Sequence, residues 1–411
     1  MSVGKIIAVI CIFAATSVAW MILGAGTSSR TDSSFSSLRD EVASLYGGDL
    51  RISVPRCYTK QTRTSEEIID GKIVLRNYVD EVPFELVSSD IRFTVENDQR
   101  KKGNLWFPTF RSSYRAEYVF DTGGATAMGV FLFASLDSEN SIYDGIRVGV
   151  NGIGYDDISF LIRRQELEVA PDENGLVRLS LEYNATGMDQ LSYYVSGYEQ
   201  IAHVRDFSCV IDTDFDDFDF PAGMMSPSVK TKTDSGYRLE WKLGNSVTGK
   251  DIGLVIPKKL NPGEIVTRVT YFAPVPLLFF FAVLLVVSAV LKIRLHPMHY
   301  AFLAATFFSF HLMYSYFSDH MNLYLTFGVS SAVSLALTVT YLRLFAPPLL
   351  AYVLAPLTQL IYLVIFSFSF FFDGTTGVIV TVCSVVTLFV FMQITGKMNW
   401  DEVFAKSGET S

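Results

Sequence analysis

Hydrophobic and polar positions divide this chain into two regimes. From residue 272 to residue 395 apolar residues run on in five blocks, parted by short turns, and a sixth block opens the chain. A helix rises about 1.5 Å per residue, so about 20 apolar residues cross a bilayer core. Residues 6–23, 272–291, 300–317, 323–342, 347–368 and 378–395 come close to or reach that length. Each is predicted as a transmembrane helix, because backbone groups in lipid must find partners within their own segment.

Between these blocks the pattern changes. Val177, Leu179 and Leu181 alternate with Arg178, Ser180 and Glu182, and Tyr237, Leu239, Trp241 and Leu243 alternate with Arg238, Glu240 and Lys242. Strict alternation buries one face of a strand and wets the other. Asn151-Gly152 and Asn174-Gly175 read as hairpin turns, since both residues tolerate positive φ. Residues 27–45 begin rich in Ser and Thr, and Leu38, Val42 and Leu45 follow at helical spacing. They are expected to form a linker leading into a short helix. The predicted fold class is an all-β, antiparallel sandwich-like domain plus six transmembrane α-helices, one N-terminal and five C-terminal. The segments are 1–26 (N-terminal span), 27–271 (β-rich), 272–396 (five-helix bundle) and 397–411 (tail).

Charge fixes the sidedness. Lys5, the pair Lys292 and Arg294, then Arg343, then Lys397 flank alternate turns, while residues 318–322 and 372–375 hold no Lys or Arg. The positive-inside rule puts both termini in the cytoplasm and residues 27–271 outside. Residues 6–23 also have the flanks of a signal peptide, with Lys5 before them and Gly24, Ala25 and Gly26 after. Their apolar run exceeds the usual h-region, which favours an uncleaved anchor. Trp400, near Lys397, reads as an interfacial anchor. Residues 27–271 hold about 37 acidic and about 27 basic residues, against a formal charge of −9 for the whole chain. That acidity argues against a nucleic-acid partner.

Of four cysteines, Cys11 and Cys383 fall in spans, and Cys57 and Cys209 in the outer domain. The latter two are read as buried thiols, with a disulfide as the alternative. Asp212, Asp214, Asp216, Asp217 and Asp219 could gather oxygens around calcium, but Phe215, Phe218 and Phe220 interleave them. An edge strand whose charges discourage aggregation fits the pattern better. Ser330 and His311 come to similar depth in neighbouring spans. No Asp or Glu lies within a span to orient the His, so a catalytic pair lacks parts. Gln359 reads as an interhelical hydrogen-bonding group and Pro356 as a kink.

Several words recur in order. Lys101-Lys102-Gly103-Asn104-Leu105-Trp106-Phe107-Pro108-Thr109-Phe110 comes first. Gly187-Met188-Asp189-Gln190-Leu191-Ser192-Tyr193 with Gly197 comes next, then residues 223–227 leading to Ser235-Gly236-Tyr237-Arg238-Leu239-Glu240-Trp241-Lys242. Leu295-His296-Pro297-Met298-His299-Tyr300 opens the third span and Ser318-Asp319-His320 closes it. Their order, with the one-plus-five layout, resembles the CreD family of bacterial inner-membrane proteins over residues 98–395. Residues 27–97 depart from that family, and Met225-Ser226-Pro227 stands where a bulkier Phe-Leu-Pro is expected. The resemblance implies an inner-membrane location, a periplasmic domain and a link to envelope integrity and stress. It implies no catalytic residue, cofactor or metal.

The residues themselves give structural readings. Gly103, Gly187, Gly197 and Gly236 suit turns of unusual φ, and Trp241 suits a sandwich core. Pro108 and Leu191 belong to the words around them. Pro297 suits a first helical turn, beside interfacial His296 and His299. The expected function is non-enzymatic, through membrane lipid or envelope protein partners. The alternatives are a transporter or channel component capped by the β-domain, and a hydrolase.

Overall fold

The computed structural model describes residues 3–69, 72–124, 129–136, 141–197, 202–291, 293, 295–372, 374 and 376–396. Trp400, Lys397, Lys292, Arg294 and the side chain of Cys383 lie outside the described residues. The chain forms two compact units. One comprises Met1–Ser36 and Leu260–Ser411, the other Ser37–Lys259.

The second unit is built on β-sheet. Its largest sheet has eight strands, in the order β10 (Ile153–Tyr155), β9 (Tyr143–Val150), β12 (Leu176–Met188), β7 (Thr109–Asp121), β4 (Glu85–Asn97), β14 (Ala202–Thr213), β16 (Tyr237–Thr248) and β15 (Val229–Lys232). A three-stranded sheet orders β1 (Leu50–Ser53), β13 (Gln190–Tyr194) and β17 (Ile252–Val255). A four-stranded sheet orders β11 (Leu167–Val169), β8 (Val130–Phe133), β2 (Arg56–Ile69) and β3 (Lys72–Pro83). β5 (Arg100–Lys102) and β6 (Leu105–Phe107) form a small hairpin. One core draws on all three larger sheets, with Leu50, Leu132, Tyr118, Leu191 and Trp241 among its members.

Alternation explains the layers. In β12, Val177, Leu179, Leu181, Tyr183 and Ala185 are buried while Arg178, Ser180 and Asn184 are exposed. Its thirteen-residue register with β7 is unbroken from Leu176↔Asp121 to Met188↔Thr109. Most pairings are antiparallel as expected, but β4 with β14 and β1 with β13 are parallel. Both join segments more than a hundred residues apart, beyond what local patterning reveals. Asn151 (φ 53°) and Gly152 (φ 79°) turn β9 into β10. Asn174-Gly175 departs from its expected role, because β11 pairs with β8 and β12 with β7 and β9. The Asp172 carboxylate instead accepts the N–H groups of Asn174 and Leu176, both at 2.9 Å, in a side-chain-closed turn.

The first unit is helical. α1 (Val3–Tyr46), whose residues 3–36 belong to this unit and 37–46 to the other, is one helix, with no linker after residue 26. The hydroxyls expected to break it bond back along it: Thr27 donates to the Leu23 carbonyl at 2.8 Å and Ser33 to that of Ser29 at 2.6 Å. Such back-bonding satisfies the hydroxyls without a break in the helix, and Gly24 and Thr31 pack closely on Tyr271 and Gly263. α2 (Ser159–Arg163) is a single turn in the β-rich unit. α3 (Pro262–Phe272), α4 (Pro274–Val290) and α5 (Pro297–Phe317) each begin with proline, whose missing N–H costs nothing at that position. α6 (Leu323–Leu342) is capped by Asn322, whose side chain accepts from Tyr324 N–H at 3.0 Å. α7 (Leu350–Phe371) widens into π turns at Leu350–Leu354 and Leu360–Ile365, on either side of the turn holding Pro356. α8 spans Thr376–Thr395.

Among the described residues three helices are long and apolar enough to cross a membrane: Gly4–Tyr46, Leu323–Leu342 and Leu350–Phe371. The bent pair α3–α4, broken by 40°, makes a fourth if counted as one span. The sequence pattern led to an expectation of six. α5 has the length, at 21 residues, but Tyr300, Thr306, His311, Tyr314 and Ser315 lower its hydropathy.

Candidate functional site

The β-rich unit contains a partly open cavity of about 150 Å³. β1 runs out through Val54 and Pro55 into Arg56 and Cys57 at the start of β2. Pro83 and Phe84 close β3, and a register shift between Leu86 and Ser88 in β4 turns the next wall. Phe120 of β7, Tyr193 of β13 and Val204 and Phe207 of β14 complete the apolar lining. Gly197 is required here. Its φ is 60°, and a Cβ would stand 2.9 Å from Val54 Cγ1. Glycine alone combines that backbone conformation with that approach.

Most polar groups of the lining are engaged or held neutral, and Arg56 there pairs with Glu81 at 3.7 Å. Tyr193 bonds Tyr118 through their hydroxyls at 3.0 Å, and Tyr118 bonds Tyr114 at 2.6 Å. Burial holds all three phenols well above their ordinary pKa. Burial also pushes the Cys57 thiol up to about 12. It is therefore protonated at neutral pH, and the thiol form is a poor nucleophile. His203, at the mouth, donates from Nε2 to the Asn245 side-chain oxygen at 2.9 Å and stands 3.7 Å from Glu85. No nucleophile–base hydrogen bond is present among the described lining residues. The arrangement suits retention of an apolar group with one end in water.

Cys57 and Cys209 are both buried free thiols. The acidic run does not form an edge strand. Asp212 lies next to the last residue of β14, which runs inside the large sheet between β4 and β16, and pairs with Arg238 at 2.7 and 3.0 Å. Asp214 accepts the Asn97 N–H and Asp216 pairs with Lys232, each at 2.8 Å. Phe215 is buried, and Phe218 and Phe220 pack on the core, which draws the carboxylates apart. Among the described residues no three of His, Cys, Asp and Glu gather as metal ligands.

The sequence words come together only in part. The words around Pro108 and Gly187 do meet: the Pro108 carbonyl accepts the Asp189 N–H at 3.0 Å, and Gly187 lies opposite Phe110. Leu191 pairs with Leu50 and Leu254 in the core. Trp241 is fully buried and donates to the Met225 carbonyl at 2.9 Å. Gly103 has the expected positive φ of 59°. Gly187 and Gly236 do not, and serve close approach instead. A Cβ would meet the Phe110 ring at 2.6 Å and the Thr213 carbonyl oxygen at 2.2 Å, respectively. His296 caps α5 by accepting the Met298 N–H at 3.2 Å, beside Pro297. Tyr300 is buried against Phe281, and exposed His320 follows the helix. His299 is not simply solvated: Nδ1 meets the Tyr341 hydroxyl at 2.8 Å and the ring stacks on Phe345.

Ser330 and His311 do not pair. His311 Nδ1 donates to the Phe307 carbonyl at 3.0 Å, while His311 Nε2 and Ser330 Oγ are each buried without a partner. Gln359 bonds between helices as expected, donating to Ser334 Oγ at 2.7 Å. Ser334 in turn donates to the Thr306 carbonyl at 2.6 Å, and Thr306 bonds Thr338 at 2.8 Å. Sequence reasoning missed the cavity, because its lining is scattered from Val54 to Phe207. Pro55, Pro83 and Gly197 are the only local signals of it. A scan against protein-family models finds no match to this chain, and a search of curated proteins finds none.

Proposed function

We infer that the protein is a non-enzymatic binding protein anchored in the bacterial inner membrane. In this reading six spans cross the membrane, one before and five after the β-rich domain, and residues 27–271 lie in the periplasm. The cavity takes the apolar end of an envelope lipid or partner, and the protein supports envelope integrity. The resemblance to the CreD family leads to the same compartment and role. One observation carries the reading: the cavity walls are mostly apolar, Cys57 and Tyr193 among them are buried, and the charged or polar Arg56 and His203 are held by Glu81 and Asn245.

The test is photolabelling in native membranes with a diazirine-bearing acyl probe. Labelling of Phe120, Tyr193 or Phe207, reduced by Val204→Trp, is the expected result. Labelling confined to the helices sinks the cavity as the binding site. Asp144→Cys should react with a membrane-impermeant maleimide from the periplasmic side; reaction only from the cytosol rejects the compartment. A transport role has one observation in its favour, the buried Thr306–Thr338–Ser334–Gln359 network. Solute flux in proteoliposomes that is lost with Gln359→Leu would establish transport instead.

A further inference from the structure

Among the described residues the hairpin β2–β3 is joined to the rest of its sheet only at its base. β8 pairs with Arg56–Thr59, whereas β2 and β3 remain paired with each other from Tyr58↔Pro83 to Ile69↔Lys72. β3 is the outermost strand of the sheet among the described residues. Such an edge presents backbone N–H and C=O groups as a template for another strand. Leu75 and Val79 along it are 65% and 61% exposed. A two-stranded ribbon is marginal in water, and three or more strands are needed for independent stability.

The residues along the edge are complementary to themselves. Antiparallel pairing of two copies of β3 about Tyr78 sets Tyr78 opposite the partner's Tyr78. Arg76 then faces the partner's Asp80, and Asp80 faces the partner's Arg76. Leu75 falls diagonal to the partner's Val79, within reach for apolar contact. Moving the centre by one residue in either direction loses both ion pairs. Each opposite-charge pair favours the register, and like charges placed opposite oppose it.

We propose that the β3 edge is a homodimer interface. Two hairpins join about a twofold axis into a four-stranded sheet, in the order β2-β3-β3-β2. Twofold symmetry makes the contact isologous, so it closes and does not propagate into fibres. The occupant is a second copy of this chain, identified by the charge complementarity of Arg76 and Asp80.

The test uses the full chain in native membranes, with Cys11 and Cys383 replaced by Ser and the buried Cys57 and Cys209 retained. Opposed residues of an antiparallel pair have Cα atoms about 4.5–5.5 Å apart, a span that a disulfide bridges. Tyr78→Cys should therefore give a covalent dimer under mild oxidation. Thr64→Cys, exposed on β2, should give about tenfold less. Arg76→Asp or Asp80→Arg, added to Tyr78→Cys, should each lower the dimer yield about tenfold, since either reverses both ion pairs. The double reversal Arg76→Asp with Asp80→Arg should restore it, which also shows that the variants fold. A Tyr78→Cys variant that stays monomeric overturns the proposal. So does equal crosslinking at Thr64→Cys, which signals random collision, or a double reversal no better than the single ones.

Discussion

The two units handle polar side chains in opposite ways. In the β-rich unit they reach across to neighbouring strands at the surface, as in Arg238–Asp212 and Arg115–Glu182. In the helical unit hydroxyls fold back on their own helix: Ser331 donates to the Phe327 carbonyl and Thr358 to that of Leu354. What remains inside the helices is often unpartnered, including Ser330 Oγ, Thr326 Oγ1 and Gln359 Oε1. A strand alternates faces, so every second side chain keeps access to water. A helix surrounded by apolar neighbours offers its hydroxyls only backbone carbonyls or another helix. Surface polarity therefore costs little in the β-rich unit, whose core also holds the unpartnered hydroxyls of Ser112 and Ser192, and polarity inside the helices must be absorbed locally.

The sharpest way to break this comparison is at the β core. Trp241→Ala should destabilise that unit by about 3–5 kcal/mol, through lost burial and an orphaned Met225 carbonyl. Urea denaturation followed by tryptophan-independent circular dichroism measures it. Gly236→Ala should cost about 1–3 kcal/mol, because the obstructing Thr213 carbonyl is backbone and yields less than a side-chain tip.

Cys57 adds a pH dependence that only the β unit should show. Its folded pKa stands above the ordinary 9.0, at about 12. The folded state thus holds the proton where the unfolded state releases it. The resulting stability is complete below pH 9 and falls as pH rises from about 9 to about 12. The melting temperature of wild type should drop across that window more than that of Cys57→Ala. Parallel curves for the two proteins would remove the thiol from the account.

Within the helices the expectation reverses. Gln359→Leu removes one hydrogen bond and one unpartnered buried oxygen, so stability in detergent should shift by less than about 1 kcal/mol. A large loss would mean that the amide anchors the bundle. The smallest effect belongs to Asp212→Ala, about 0.2–1 kcal/mol for a half-exposed pair, diminished by salt.

How legible the fold was in the sequence follows from the range of the interactions involved. Val177, Leu179 and Leu181 announced β12 and Tyr237, Leu239 and Trp241 announced β16, because alternation is local. Asn151-Gly152 announced its turn for the same reason. The continuity of α1 was hidden, since Ser and Thr favour caps and turns and are only tolerated inside a helix when they back-bond. Gly187 and Gly236 looked like turn residues, though their role is to admit Phe110 and Thr213, which lie far off in sequence. The cavity was illegible because no short stretch supplies more than a few of its walls.

The parallel pairing of β4 with β14 has a consequence for synthesis. β7 can zip onto β4 soon after both leave the ribosome, but the register from Ser88↔Asp206 to Val95↔Thr213 cannot form until the nascent chain passes residue 213. Until then one flank of β4 stays open and must avoid wrong strands. Loop closure over so long a stretch is slow. The large sheet therefore cannot close on β4 until β14 is made, and β15 and β16 must still follow before the carboxy-terminal helices emerge.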